Sequence, residues 1–247
     1  MNHYIANHNL VIHFNRVADL RQKLFSFEES LGSFYQKPFN LNTVGDNAPP
    51  EIPRIVAQAK GNSRTLQVSQ VNMSMGFMNQ PPLSWNQLYN EVSTHAKAAF
   101  KALEASGIDE VLYTGFTTNV VVPFESSEAV IEHIRERFVK ADSALFDLSL
   151  KFTSVKDNKF YINFHFANKT EYEPSPHTPH MIPAYLKVKG HALIFTLDIN
   201  DRYGFNFTRE YLSDADTAYT ILQLAHEVLA EHIETVVLEG ELDIWAQ

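Results

Sequence analysis

Two pairs of side chains in this chain have the type and spacing to do chemistry. His177 and His180 stand three apart in EPSPHTPHMIP, residues 173–183, with Glu171 and Glu173 just upstream. Pro174, Pro176, Pro179 and Pro183 favour a polyproline path of three residues per turn, which projects both imidazoles to one side. That is a two-histidine pincer for zinc, which needs three or four ligands about 2 Å from the metal. A third ligand would have to be Glu171, Glu173 or a distant residue. Asp198 and Asp201, in LDIND, end a strand-like run, as paired carboxylates do in Mg2+-dependent hydrolases and nucleases. Each pair also has a plainer reading. The first is a proline-stiffened contact loop, and the second is a turn off the strand in which Arg202 pairs with Asp201. The plainer readings are preferred, so no catalytic residue, metal site or cofactor is assigned.

His95 and His226 fall within apolar helical stripes, where a buried, hydrogen-bonded imidazole is commoner than a catalytic one. Asp147 alternates with Phe146 and Leu148 and reads as solvent-facing. There is no nucleophile-elbow serine and no GxGxxG or GxxxxGK[ST] loop, and nine glycines supply phosphate-cradling loops poorly.

A third group of residues is a set of acids with no Lys or Arg among them in the sequence. Glu227, Glu231 and Glu234 recur at i, i+4 and i+7, opposite an apolar stripe, and Glu239, Glu241 and Asp243 follow. A solvated helix ordinarily intersperses Lys or Arg at i+4, gaining about 0.2–0.5 kcal/mol per pair. Here none is available: residues 210–247 hold nine acids and no Lys or Arg. The net charge of −9 arises wholly beyond residue 123, because residues 1–123 carry nine charges of each sign. This disfavours direct binding to a nucleic-acid backbone and favours a protein partner with a basic surface, with a solubilising face as the alternative. The candidate partner contacts are therefore Glu227, Glu231, Glu234, Glu239, Glu241 and Asp243, joined by His177 and His180 of the proline loop. A second copy of the chain is a further candidate partner.

The elements that must position these residues follow from periodicity. Val17, Leu20, Leu24, Phe27 and Leu31 predict a first helix closed by Gly32. Ser84 and Gln87 form a capping box ahead of the stripe Trp85, Leu88, Tyr89, Val92, Ala96, Ala99, Phe100 and Leu103, which predicts a helix over 85–105. A third helix is expected over 127–140, and a fourth from 213 that buries Ile221, Leu222, Ala225, Leu229, Ile233 and Val236. The remainder alternates as strands: NLVIHF; a hairpin over 54–77 turning at Gly61–Asn62; DEVLYTGFTTNVVVPF; a second hairpin turning at Asp157–Asn158; and AYLKVKGHALIFTLDIN.

The order is β-α-β-β-α followed by β-α-β-β-β-α, and VIHF (11–14) and VVPF (121–124) both lead into helices. The expected fold is α+β, an antiparallel sheet backed by helices, built by tandem duplication, with halves 1–107 and 108–247 packed as one unit. Eighteen Phe and ten Tyr supply a large core, and an aromatic-lined concavity for a small ligand is a further reading. No apolar run approaches the roughly 18 residues of a membrane helix. The N-terminus lacks the pattern of a signal peptide, and the absence of cysteine excludes disulfide and thiol chemistry. A cytoplasmic protein that contacts no membrane is expected.

APPEIPRI, TLQVSQVNMSM with LSWNQLYNEV, VLYTGFTTNVVVP, FTLDIN, and LQLAHEVLAEHIETVV ending in LDIW together span most of the chain. In these motifs it resembles a family of sporadically distributed bacterial proteins of about this length. It departs from the family at Thr114–Gly115–Phe116, where a more basic strand is expected. The resemblance implies no particular activity; it implies the same fold outline and a bacterial or phage cytoplasmic origin. With the acidic segment, it leads to the expectation of a non-enzymatic interaction module. Such a module would be an accessory, immunity or regulatory subunit acting beside a toxin or phage-defence effector. A metal-dependent hydrolase or nuclease using Asp198 and Asp201 is the alternative.

Overall fold

The computed structural model of the protein describes residues 2–45, 47–139, 145–173 and 183–245. Strand β1 (Tyr4–Phe14) leads through a 3-10 turn into helix α1 (Leu24–Leu31). Strands β2 (Asn40–Leu41), β3 (Ile55–Gln58), β4 (Arg64–Val68) and β5 (Asn72–Leu83) follow, then α2 (Trp85–Ala105). The second half runs β6 (Val111–Phe124), α3 (Ser127–Phe138), β7 (Ser149–Lys156), β8 (Phe160–Tyr172), β9 (Val188–Asn200), α4 (Arg202–Phe207) and α5 (Ala215–His226).

Among the described residues nine strands form one antiparallel sheet in the order β2-β3-β4-β5-β1-β6-β9-β8-β7. With the two-residue β2 set aside, β3-β4-β5-β1 and β7-β8-β9-β6 are the same arrangement read from opposite edges. The central pair β1–β6 is antiparallel, so a two-fold axis between them exchanges the halves. Each half is β-α-β-β-β-α, and VIHF and VVPF close the two equivalent strands. The boundary expected at 107/108 falls in the connection between α2 and β6. The expected hairpin over 54–77 is in fact three strands. Two residues make the turns: Gly61 at φ 81° between β3 and β4, and Ser69 between β4 and β5. The Ser69 hydroxyl accepts from the backbone N–H groups of Val71 and Asn72, folding the chain back where periodicity alone shows no break.

The two faces of the sheet differ in chemistry. Leu10, Ile12, Met75, Phe77, Phe116, Val120, Phe164, Phe166, Phe195 and Leu197 point to one face and are buried beneath α1, α2, α3 and α5. The alternation of period two sends their neighbours to the other face. There the paired residues line up across strands. One row reads Thr65, Gly76, Asn9, Thr117, Asp198, Asn163, Thr153, and the next reads Asn7, Asn119, Thr196, His165, Lys151. These side chains bond to one another: Ser74 to Asn9 (3.0 Å), Asn119 to Asn7 (2.8 Å) and Thr196 to Asn119 (2.6 Å). Only α4, at the end of β9, overhangs this open face among the described residues. Its Phe205 meets Tyr113 and its Tyr203 meets Tyr161.

Two buried polar groups hold the first half. Arg54, 1% exposed, donates to the carbonyls of Ile52 and Ala48 and so fixes the proline-rich stretch before β3. His8 lies at the centre of the β1–β6 pairing, opposite Thr118, and stacks on Phe77 with ring centroids 4.4 Å apart. Burial, with lesser contributions from the charges of Arg64 and His95, drives its pKa down to about 3, so the ring is neutral.

Candidate functional site

A large cleft opens where β1 begins, α2 begins and the chain leaves α5. The local sequence explains each wall. Ser84 caps α2: its backbone N–H donates to the Gln87 carboxamide oxygen (3.0 Å) in the expected capping box. Trp85, the first residue of that helix, donates its indole N–H to Nδ1 of His226 (3.1 Å), and Tyr89 packs on the same imidazole at 4.5 Å. This bond pins the start of α2 to the end of α5 and requires His226 to keep Nδ1 as an acceptor.

The expected last helix does not continue as an α-helix. After His226 it widens into two π-helical stretches, Glu227–Glu231 and Thr235–Glu239, and ends at Gly240 with φ 77°. Each wide stretch carries two adjacent buried residues, Val228–Leu229 and Val236–Val237, which a regular α turn would point in directions 100° apart. Carbonyls displaced from the regular ladder find partners on α3. His133 donates through Nε2 to the Val237 carbonyl (2.7 Å), and Arg137 donates to that of Leu238. Burial lowers the His133 pKa, while the bond to Val237 opposes that shift.

The resulting cleft holds about 800 Å3. Its lining is largely polar: Ser84, Asn86, Thr235, Glu231, Glu234 and Glu239 surround it, with Tyr4 and the nearly buried Ile5, Trp85, Leu229 and Ile233 beneath. Its lining includes His3 but no Lys or Arg. The Glu234 carboxyl is held below the usual carboxylate range by hydrogen bonding and by neighbouring positive charge. Glu231 and Glu239, both exposed, give the cleft its remaining negative charge.

Three of the acids read as partner contacts in the sequence therefore meet in one cleft. Glu227 is half-buried and outside its lining, because the helical face assumed for i, i+4 and i+7 is lost in the π turn. Glu241 and Asp243 are exposed beyond Gly240, also outside the lining. His177 and His180 lie outside the described residues. The two aspartates do not form a pair. Asp198 is on the open face, accepting from Asn163 and Asn200 (both 3.1 Å). Asp201 is fully buried towards the helices, accepting from the Thr114 N–H (2.6 Å) and the Tyr211 hydroxyl (2.6 Å). Its pKa is raised by burial against the opposing hydrogen bonds. Among the described residues no group of three or more His, Asp or Glu is placed to hold a metal ion, and no helix is long and apolar enough to cross a membrane.

His95 is buried, bonded through Nδ1 to the Glu91 carbonyl (2.8 Å), and packed against Phe34 and Phe77. Asp147 is exposed. The walls of the cleft, Tyr4, Trp85 and Ile233, were assigned no site role from the sequence. They come from three distant segments: Trp85 and Ile233 read there as helix core, and Tyr4 lies before the first expected strand. No family model matches the chain, and no curated protein matches it. The bacterial resemblance thus rests on its motifs alone.

Proposed function

We propose that the protein is a non-enzymatic interaction module that receives a basic segment of a partner protein in this cleft. The observation that carries the reading is the convergence of Glu231, Glu234 and Glu239 on one largely polar cleft with no lysine or arginine in its lining. Glu231 and Glu239 are exposed there and present negative charge to an incoming cation. An incoming Lys or Arg would pair with the exposed Glu231 and Glu239 carboxylates. Such a contact speeds association and confers specificity, and it weakens with salt. The role that fits is an accessory, immunity or regulatory subunit in the cytoplasm, beside a toxin or phage-defence effector.

The test is co-purification from the native host with tagged wild-type protein and with a Glu231→Lys/Glu239→Lys variant, at low and high salt. A basic protein recovered by wild type at low salt, and lost to both the variant and high salt, supports the reading. A partner retained by the variant at all salt concentrations overturns it.

A further inference from the structure

The acidic cleft leaves the open face of the sheet unused, and that face has a second, differently built cleft. It holds about 330 Å3 between β7, β8, β9 and α4, and its lining is polar throughout except for the Tyr161 ring. Its central group is Asp198. Asn200 donates to one carboxylate oxygen and Asn163 to the other, each at 3.1 Å. Asn163 is itself fixed by accepting from the Thr153 hydroxyl at 2.8 Å. The carboxylate is thus held from behind by two amides, with a further lone pair on each oxygen available to a ligand. Lys151 and Arg202 stand on the same lining. A phosphate would meet Asp198 there, and an amine would meet the two cations. An uncharged polyol that both donates and accepts conflicts with neither.

The Tyr161 ring lines this cleft; Tyr203 meets it edge-on at 5.3 Å, and Phe207, 67% exposed, tilts against Tyr203 at 4.6 Å. An aromatic ring next to converging polar groups matches a sugar ring, whose C–H face stacks while its hydroxyls bond. The hydroxyl and amide rows continue from Asp198 to Thr117 and Asn9 on the neighbouring strands, giving room for more than one ring.

We propose that this open-face cleft binds a neutral saccharide, with Asp198 accepting from two adjacent hydroxyls and the Tyr161 ring, buttressed by Tyr203, lying against one ring face. The inference is independent of the acidic cleft. The test applies the full chain to arrayed neutral hexose and N-acetylhexosamine oligosaccharides and to anionic glycans, followed by calorimetry on any hit. Asp198→Asn and Tyr203→Ala are the variants, checked for unchanged thermal unfolding. The expected result is binding of a neutral saccharide, weakened at least about tenfold by each variant. No neutral saccharide bound by wild type would overturn it. So would equal binding by wild type and both variants, or binding of anionic glycans alone that is lost in Lys151→Ala.

Discussion

His8 gives the sharpest quantitative prediction, because its environment fixes both the sign and the size of a pH effect. The ring is 1% exposed, stacked on Phe77, near the Asn79 amide (3.4 Å) and edge-on to Trp85. The folded protein takes up its proton only near pH 3, whereas the unfolded chain does so near 6.5. Between those values the unfolded state binds more protons. The stability contributed by neutral His8 is therefore complete above pH 6.5 and is lost as pH falls towards 3. From 6.5 to about 5 the loss is about 2 kcal/mol at about 1.36 kcal/mol per unit, and the figure holds as long as the folded value stays below 5. For a chain of this length that is a fall of about 4–8 °C in Tm. His8→Phe keeps the ring stack and removes the titration. Its Tm should fall less than that of wild type between about pH 7.5 and about pH 5, by that amount. His13, His95 and His133, also depressed mainly by burial, contribute to the acid loss in both proteins and cancel in the comparison. Equal pH dependence of the two proteins in urea and thermal melts would refute the burial argument.

Other substitutions separate structural from functional residues. Asp201→Ala strands the Thr114 N–H and the Tyr211 hydroxyl in the interior and should cost about 2–5 kcal/mol in urea unfolding. Asp198→Ala, on the open face, should cost under about 1 kcal/mol. Gly204→Ala places a methyl 2.8 Å from the Tyr211 ring and should destabilise by about 1–3 kcal/mol, pushing that ring off Asp201. Arg64 reaches Glu91 with two bonds of 2.6 and 2.7 Å and lies over Phe77 at 5.3 Å. Arg64→Lys, which cannot reproduce the fork, should lower Tm measurably, while a surface pair such as Lys187–Glu173 can be broken with little effect.

Much of the architecture is legible in the chain because its determinants are local. The Ser84–Gln87 box and the stripe after it place α2 at its observed ends. Asp157 and Asn158 adopt positive φ (54° and 47°) in the hairpin turn where their side-chain chemistry places it. The strand missing from the first half was hidden because Ser69 turns the chain by a side-chain hydrogen bond, without the glycine or proline that usually marks such a turn. The acidic residues were visible as a charge pattern. Which of them converge depends on the π turns after His226, and those answer to contacts with α3 about a hundred residues away. α4 was not anticipated at all, being a six-residue helix with no stripe of its own. The polar rows on the open face need the strand order, which no single strand encodes.

Whether the acidic cleft takes a basic segment is decided by calorimetric titration with a lysine- and arginine-rich peptide. Binding is expected at about 0.05 M salt, weakening sharply by about 0.5 M and abolished by Glu231→Lys/Glu239→Lys in a protein with unchanged Tm. Binding of equal strength to wild type and the variant, or no binding at low salt, would contradict it.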